Sequence, residues 1–443
     1  MKKIVFDEDF LWGCATASYQ VEGAIEEGGR VPSIWDTLCK RPGAILNGDD
    51  GRFAADQYHR YQEDVDLMAS LGFQAYRFSI AWVRVIVDKD GTVNQEGLDY
   101  YINLCKALRS AGIKSVATLY HWDLPQYLED EGGWANRETA YAYARYADVC
   151  YEHLGPYVDQ WITLNEPWCI AYLGYRIGEH APGLQDDEKA YRAVHHLNLA
   201  HGLAVKAYRN RGLKAQIGTT LNPSMPRPAT KREEDKKAAL YSLAMDTDIF
   251  LKPLFGQGYP DEILKDLGIS LPIEDGDMEI IAEKIDFVGI NYYAEYPVSW
   301  DETNPLKYTG QPFWQETTNQ GWPIVPYGLN RILTYFKDVT GNIDLYITEN
   351  GCAGDDVLID GRVNDAFRCK YINLHLEACK RAIDEGINLK GYFAWSLLDN
   401  FEWAWGYSRR FGIVYVDYNT QKRYPKNSAY MLRDIIAGYN EYY

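Results

Sequence analysis

Positive charge is scarce in this chain: 45 Lys and Arg residues stand against 63 Asp and Glu, a formal net charge of −18 at pH 7 over 443 residues. Such a surface repels phosphate backbones and anionic headgroups, which excludes nucleic acid as a partner and argues against a membrane surface. Long apolar runs are missing as well. No stretch of about 18 apolar residues occurs that could span a bilayer. Residues 1–8 reach Asp7 and Glu8 before any apolar segment long enough for a secretory signal, so the chain reads as cytoplasmic unless a leader has already been removed. The eight cysteines include no C-x-x-C pair and are scattered through apolar segments, which predicts free buried thiols rather than a disulfide framework or a zinc site. No Gly/Ser/Pro-rich linker divides the chain, so residues 1–443 read as a single domain.

Aromatic side chains are abundant by contrast, with 36 Tyr, 13 Trp and 14 Phe. A large core absorbs most such rings, and a few can act as flat platforms for a ligand. Apolar runs at 10–17, 73–80, 114–119, 160–164, 215–221, 285–290, 345–348 and 389–396 read as strands. Between them, apolar residues recur at helical spacing over 56–71, 98–111, 138–153, 189–211, 230–250, 328–339 and 365–385, with a short helical piece at 261–267. In the first of these, Tyr61, Val65, Met68 and Leu71 share a face and Gly72 follows as a stop signal. Strand and helix alternating without a composition break predict an α/β fold, a (β/α)8 TIM barrel, rather than two doubly wound domains. The charged run 231–237 reads as a solvated helix face.

Such a barrel gathers the C-terminal ends of its strands, and the loops beyond them, on one face. In chain order those ends present Gln20 and Glu22; Arg77; His121 and Trp122; Asn165 and Glu166; Asn291, Tyr292 and Tyr293; Glu349 and Asn350; and Trp395, with Glu402 and Trp403 just beyond. Pro167, which has no amide hydrogen for a sheet ladder, ends the strand that delivers Asn165 and Glu166. The segment 345–351 repeats that arrangement, with an apolar strand, Glu349 beside Asn350, and then Gly351. Only a closed barrel brings two such distant carboxylates together naturally. The half-apolar setting of Glu166 between Trp161 and Trp168 is expected to raise its pKa, while Arg77 and Tyr293 are expected to lower that of Glu349 by charge and hydrogen bonding. Two carboxyl groups of divided pKa, walled by rings and flanked by amides, suit glycoside cleavage. One protonates the leaving oxygen, and the other attacks, or activates a water against, an oxocarbenium-like centre.

Four segments, in order, resemble glycoside hydrolase family 1, the β-glucosidase family, over almost the whole chain: FLWGCATASYQVEGA at 10–24, TLNEP at 163–167, ITENG at 347–351 and WSLLDNFEW at 395–403. The resemblance implies a retaining double displacement with Glu166 as general acid then base and Glu349 as nucleophile, their carboxyl groups about 5–5.5 Å apart. It implies substrate-binding roles for Gln20, His121, Trp122, Asn165, Asn291, Tyr293, Trp395, Glu402 and Trp403, with Arg77 and Tyr293 supporting the nucleophile. Trp168, Cys169, Tyr172, His180 and Trp322 are candidates for the aglycone side, with ordinary loop packing as the alternative. The expected partner is a small-molecule glycoside: terminal β-linked glucose, and also galactose or fucose, on small glycosides and cello-oligosaccharides. No cofactor and no metal are expected, and the oligomeric state is left open.

Two rival readings remain. A 6-phospho-β-glycosidase would replace the Glu402-Trp403 pair, which is intact here ahead of Ser408-Arg409-Arg410; a non-catalytic sugar-binding barrel would have lost one of the two glutamates. Tyr327 and the run Arg368 to Tyr371 depart from the family pattern and bear on outer-site preference. His195, His196 and His201 lie on one predicted helix and read as satisfied helix histidines, because no ligand-spaced carboxylate or cysteine accompanies them. The run 351–354 lacks the Lys-Ser/Thr of a phosphate loop and reads as a turn.

Overall fold

A computed structural model describes residues 5–439; the first four residues of the polar N-terminal stretch read above lie outside that range, as do 440–443. Eight parallel strands close into a barrel in chain order: β1 (Leu11–Ala15), β2 (Ala75–Ser79), β3 (Lys114–Tyr120), β4 (Gln160–Asn165), β5 (Gln216–Leu221), β6 (Phe287–Asn291), β7 (Asp344–Asn350) and β8 (Leu389–Trp395). Closure comes from β8 returning to β1, pairing Leu11 with Gly391 and Ala15 with Trp395. Each strand is followed by an outer helix: α1 (Gln57–Ser70), α2 (Gln95–Ser110), α3 (Glu138–Leu154), α4 (Asp187–Asn210), α5 (Glu233–Leu243), α6 (Pro326–Thr340), α7 (Ala366–Asp384) and α8 (Asn427–Ile436). The α/β barrel expected from the alternation is therefore the fold observed.

The alternation works because each element has its own pattern of burial. β4 is buried along its entire length, as a parallel strand covered on both faces must be. In α6 the buried residues Leu329, Ile332, Leu333 and Phe336 recur at spacings of three and four, giving one apolar stripe toward the strands. One small apolar cluster, including Val116, Ile162, Phe287, Tyr346 and Phe393, fills the barrel, while a much larger one lies between strands and helices. Filling the barrel requires a glycine: a Cβ on Gly13 would lie 2.2 Å from the Phe393 ring.

Three sequence expectations change. β7 runs on to Asn350, so Glu349 stands on the strand itself rather than beyond it. The helix expected over 230–250 stops at Leu243, gives way to a wide π-helical turn at Ala244–Asp248 and resumes briefly at Ile249–Leu251. Within its charged start, Asp235 is buried rather than solvated; it accepts from Thr230, from Arg232 at 2.9 Å and from the Trp300 amide at 3.1 Å. Asp235 thereby ties α5 to a three-stranded sheet (Arg227–Pro228, Pro297–Trp300, Tyr308–Gly310) in the loops after β5 and β6, which periodicity did not reveal.

All eight cysteines are unpaired, and all but Cys39 are buried. Among the described residues no helix is long and apolar enough to cross a membrane.

Candidate active site

The C-terminal strand ends converge on a hydrogen-bonded chain whose polarity is set by one residue. Arg77 on β2 can only donate. Its guanidinium bonds Glu349 at 2.5 Å and the Asn165 Oδ1 at 2.6 Å. With Oδ1 so identified, Asn165 must present Nδ2 to His121, and it does, donating to Nε2 at 3.0 Å. The imidazole proton therefore sits on Nδ1, which has no protein partner among the described residues, and the buried Gln20 Oε1 is likewise left without one there. Burial, and then the Arg77 charge, hold His121 well below the usual imidazole range, so it is neutral. A neutral donor at His121 and an acceptor at Gln20 are thus ready for hydroxyl groups.

The two carboxyl groups are held differently. Both oxygens of Glu349 are engaged, one by Arg77 and the other by the Tyr293 hydroxyl at 2.6 Å. Tyr293 is itself fixed by Tyr371, which donates to its carbonyl at 2.9 Å. Glu166 follows β4 at φ 49°, its amide bonded to the Thr220 carbonyl. Asn291 donates to its Oε1 at 2.6 Å and the Cys169 thiol to its Oε2 at 3.0 Å.

Burial, reinforced by the Glu349 charge, pushes Glu166 up to about 7. The expectation for Glu349 needs correcting: burial raises it as well, and Arg77, Tyr293 and Asn291 oppose that rise without reversing it. Because the guanidinium touches only Glu349, that carboxyl is the first of the pair to ionise. Close by, burial and then Glu349 push Glu402 up to about 8, while Gln20 donates to it at 3.3 Å.

Aromatic rings wall the site. Trp395 stacks on His121 with ring centres 5.8 Å apart and planes at 18°, and Trp403 packs against Trp35 at 4.5 Å and Trp122 at 4.7 Å. The Trp122 indole N–H donates to the Asn165 carbonyl at 2.8 Å, so its hydrogen serves the framework and its ring serves the wall. Gly351 cannot be larger, since a Cβ there would lie 1.8 Å from the Trp395 carbonyl oxygen. That contact joins the segment after Glu349 to the Trp395 segment.

The sequence profile of glycosyl hydrolase family 1 matches residues 2–441. The chain belongs to that family. It is 46% identical over 434 residues to β-glucosidase A of Thermotoga maritima, covering 97% of each chain. It is 44% identical to a bifunctional β-D-glucosidase/β-D-fucosidase of Bifidobacterium breve, covering 99% of each. A solved family 1 β-glucosidase from Thermotoga maritima superposes with a TM-score of 0.96 at 45% identity, covering all of both chains. The chain is accordingly a glycoside hydrolase.

Not every strand-end residue of this family 1 hydrolase reaches the site. Glu22 pairs with Arg84 at 2.7 Å and accepts from Tyr101, behind β1 and β2. Tyr292 donates to the Val325 carbonyl, and Asn350 donates to the Tyr292 carbonyl; both brace the framework. Among the aglycone candidates, Tyr172 is buried with its hydroxyl on the Met245 carbonyl and its ring edge on Trp168, so it supports that ring from beneath. Trp168 is half-buried, Trp322 packs on Tyr293 at 5.5 Å, and His180 lies against Trp35 and Trp122. Tyr327 is exposed, whereas Arg368 is buried under the loop that follows Glu349 and bonds the Cys352 carbonyl, so it is no outer-site residue.

Sequence reasoning missed Trp35, Asn222 and Asp246, which come from loops or helices without a recognisable motif. It also passed over Asn400, which lies inside the last motif and accepts from Gln20 at 3.1 Å. The helix histidines are each engaged: His195 with Asp277 and Tyr259, His196 with the Trp134 carbonyl, His201 with Thr163. One carboxylate thus does accompany them, held by Arg137 as well. Among the described residues no group of three or more His, Cys, Asp or Glu is arranged for a metal ion.

Proposed function

We propose that this chain is a retaining β-glucosidase, removing terminal non-reducing β-D-glucosyl residues, and related galactosyl and fucosyl residues, from small glycosides and cello-oligosaccharides. The observation that carries this reading is the unequal clamping of the carboxyl pair. Glu349 is gripped by a cation and a phenol, whereas among the described residues the oxygens of Glu166 meet an amide and a thiol. Glu349 is therefore the resting carboxylate and Glu166 the resting acid.

In the first displacement Glu166 gives its proton to the glycosidic oxygen as the bond from that oxygen to the anomeric carbon breaks. A Glu349 oxygen bonds the same carbon from the opposite face. In the second, Glu166, now a carboxylate, takes a proton from water; the water oxygen attacks the anomeric carbon and Glu349 leaves as carboxylate. His121, Gln20, Asn165, Glu402 and Trp403 hold the hydroxyls of the terminal sugar and Trp395 carries its apolar face. Trp168, Cys169, His180 and Trp322 face the leaving group. The activities named for the Thermotoga and Bifidobacterium relatives support glucose and fucose. Eight unpaired thiols support a reducing compartment, the cytoplasm.

A 6-phosphoglycoside is the reading to exclude, and the cations behind the Trp395–Trp403 segment argue against it: Arg410 and Lys426 are both bound to Asp399. Nitrophenyl β-glucoside should be turned over in preference to its 6-phosphate, with the first-formed sugar retaining its anomeric configuration by NMR. Glu349→Gln should abolish turnover, and Glu166→Gln should slow poor leaving groups far more than good ones. The wild-type kcat/KM should fall as pH rises through about 7, where Glu166 loses its proton. Preference for the phosphate, an inverted product or an active Glu349→Gln enzyme would each overturn the proposal.

A further inference from the structure

Which oxygen of Glu166 carries the catalytic proton follows from its neighbours. Asn291 accepts the Thr348 hydroxyl on its Oδ1 at 2.8 Å, and its Nδ2 donates to the Asn165 oxygen that Arg77 has already identified as an acceptor. The Nδ2 group that meets Glu166 Oε1 is therefore a donor on two independent grounds. A protonated Oε1 would offer the Asn291 N–H only the weaker acceptor oxygen of a carboxylic hydroxyl, so this contact favours the proton on Oε2. The only protein side chain bonded to Oε2 among the described residues is the Cys169 thiol.

Cys169 is held for that contact. It opens the wide π-helical segment Cys169–Ile177, and its backbone amide bonds the Glu166 carbonyl at 3.0 Å. Its sulfur accepts from Asn222 Nδ2 at 3.4 Å, which leaves the S–H free to turn toward Oε2. A thiol is a weak donor and a weak acceptor, so it can give its hydrogen to the Glu166 carboxylate and turn it away when Oε2 is protonated.

We propose that Cys169 is a positioning residue for the acid/base step: its thiol holds the proton-bearing oxygen of Glu166 and sets the pH at which that proton is lost. The proposal rests on Glu166 being the acid/base. The other titratable or charged groups facing Glu166 are Glu349 from β7, Arg77 from β2, Tyr293 beyond β6 and Glu402 beyond β8. None of them meets Oε2, so a change confined to Cys169 alters that oxygen and leaves their contacts in place.

The experiment is the pH profile of kcat/KM for an alkyl β-glucoside, a poor leaving group, in wild type, Cys169→Ala and Cys169→Ser. Loss of the donor should move the alkaline limb of the Ala variant upward by about half a pH unit, the size expected for one net hydrogen bond. The Ser variant, isosteric and a stronger donor, should return the limb to the wild-type position or below it. Inhibition by glucose, read at pH 6, and the melting temperature of the Ser variant should stay near wild type. The same alkaline limb in the Ala and Ser variants would overturn the proposal. Failure of the underlying assignment looks different: Glu166→Gln would then keep its turnover of the alkyl glucoside, whatever the cysteine variants do.

Discussion

Trp122, Glu166 and Trp403 stand at φ values of 82°, 49° and 48°. For a residue with a Cβ such a conformation costs on the order of 1–3 kcal/mol, and here it falls at Trp122 and Glu166 just past strand ends and at Trp403 in the loop after β8. Glu402 carries a similar conflict in its charge. Burial, then Glu349, raise it to about 8 in the folded protein, above its unfolded value of about 4.3. Its contribution to stability is thus complete below about pH 4 and is lost as pH rises through about 8. Glu402→Gln, uncharged at every pH, should melt above wild type near pH 9, with the gap narrowing toward pH 5. Calorimetry across that range is the check, and a gap independent of pH would contradict it. At this scale the sequence named the chemistry well, because a carboxylate at a strand exit is a local feature. Strand-exit position alone could not separate Glu166 from Glu22; the motif resemblance did, and the structure shows the physical difference, since Arg84 claims Glu22.

The elements that hold Trp168 are loops and irregular helices rather than barrel strands. Asp246, in the wide turn Ala244–Asp248, accepts from the Trp168 indole at 3.0 Å, the Tyr308 hydroxyl at 2.7 Å and the Ser242 hydroxyl at 2.6 Å. It therefore fixes the plane of a half-buried ring two residues beyond Glu166. Asp246→Ala should raise the KM for cellotriose about tenfold, equivalent to ~1.4 kcal/mol, while inhibition by glucose changes little. Trp168→Phe keeps a ring but lacks the indole N–H, so it should reproduce much of that effect. The double variant should be no worse than the more severe single one; additive losses would show that Asp246 acts elsewhere. Trp168 was named as a candidate from the sequence, but the Asp246 that holds it was not legible beforehand. The interruption after Leu243 has no proline or glycine to announce it, and the sheet of Tyr308 is made of short segments too brief for a periodic signal.

Across the whole molecule, one buried ion network ties the loop after Glu349 to the loop after β8 and the C-terminal helix. Lys426 is wholly buried between Asp356 at 2.6 Å and Asp399 at 2.7 Å; Arg368 bonds Asp356 and Asp365, and Arg410 bonds Asp399. Three cations thus face three aspartates, and every member but Arg410 has a side chain no more than 3% exposed. Lys426→Met should cost about 3 kcal/mol, because each of two buried carboxylates keeps only one of its two cation partners, Arg368 for Asp356 and Arg410 for Asp399. Denaturant unfolding and the half-life of thermal inactivation should both register the loss, and a variant as stable as wild type would refute the network's role. By itself the sequence determined the barrel, the order of its strands, the two glutamates and most of the residues around them. Hydrophobic periodicity and strand-exit chemistry are local, so each can be read within a few residues. Closure of the barrel decided the rest: that Arg77 orders Asn165 and His121, that Cys169 meets the Glu166 Oε2, and that Arg368 lies under the loop after Glu349. Those contacts join segments distant in the chain, and their energies depend on atomic distance and burial, which exist only once the strands have closed.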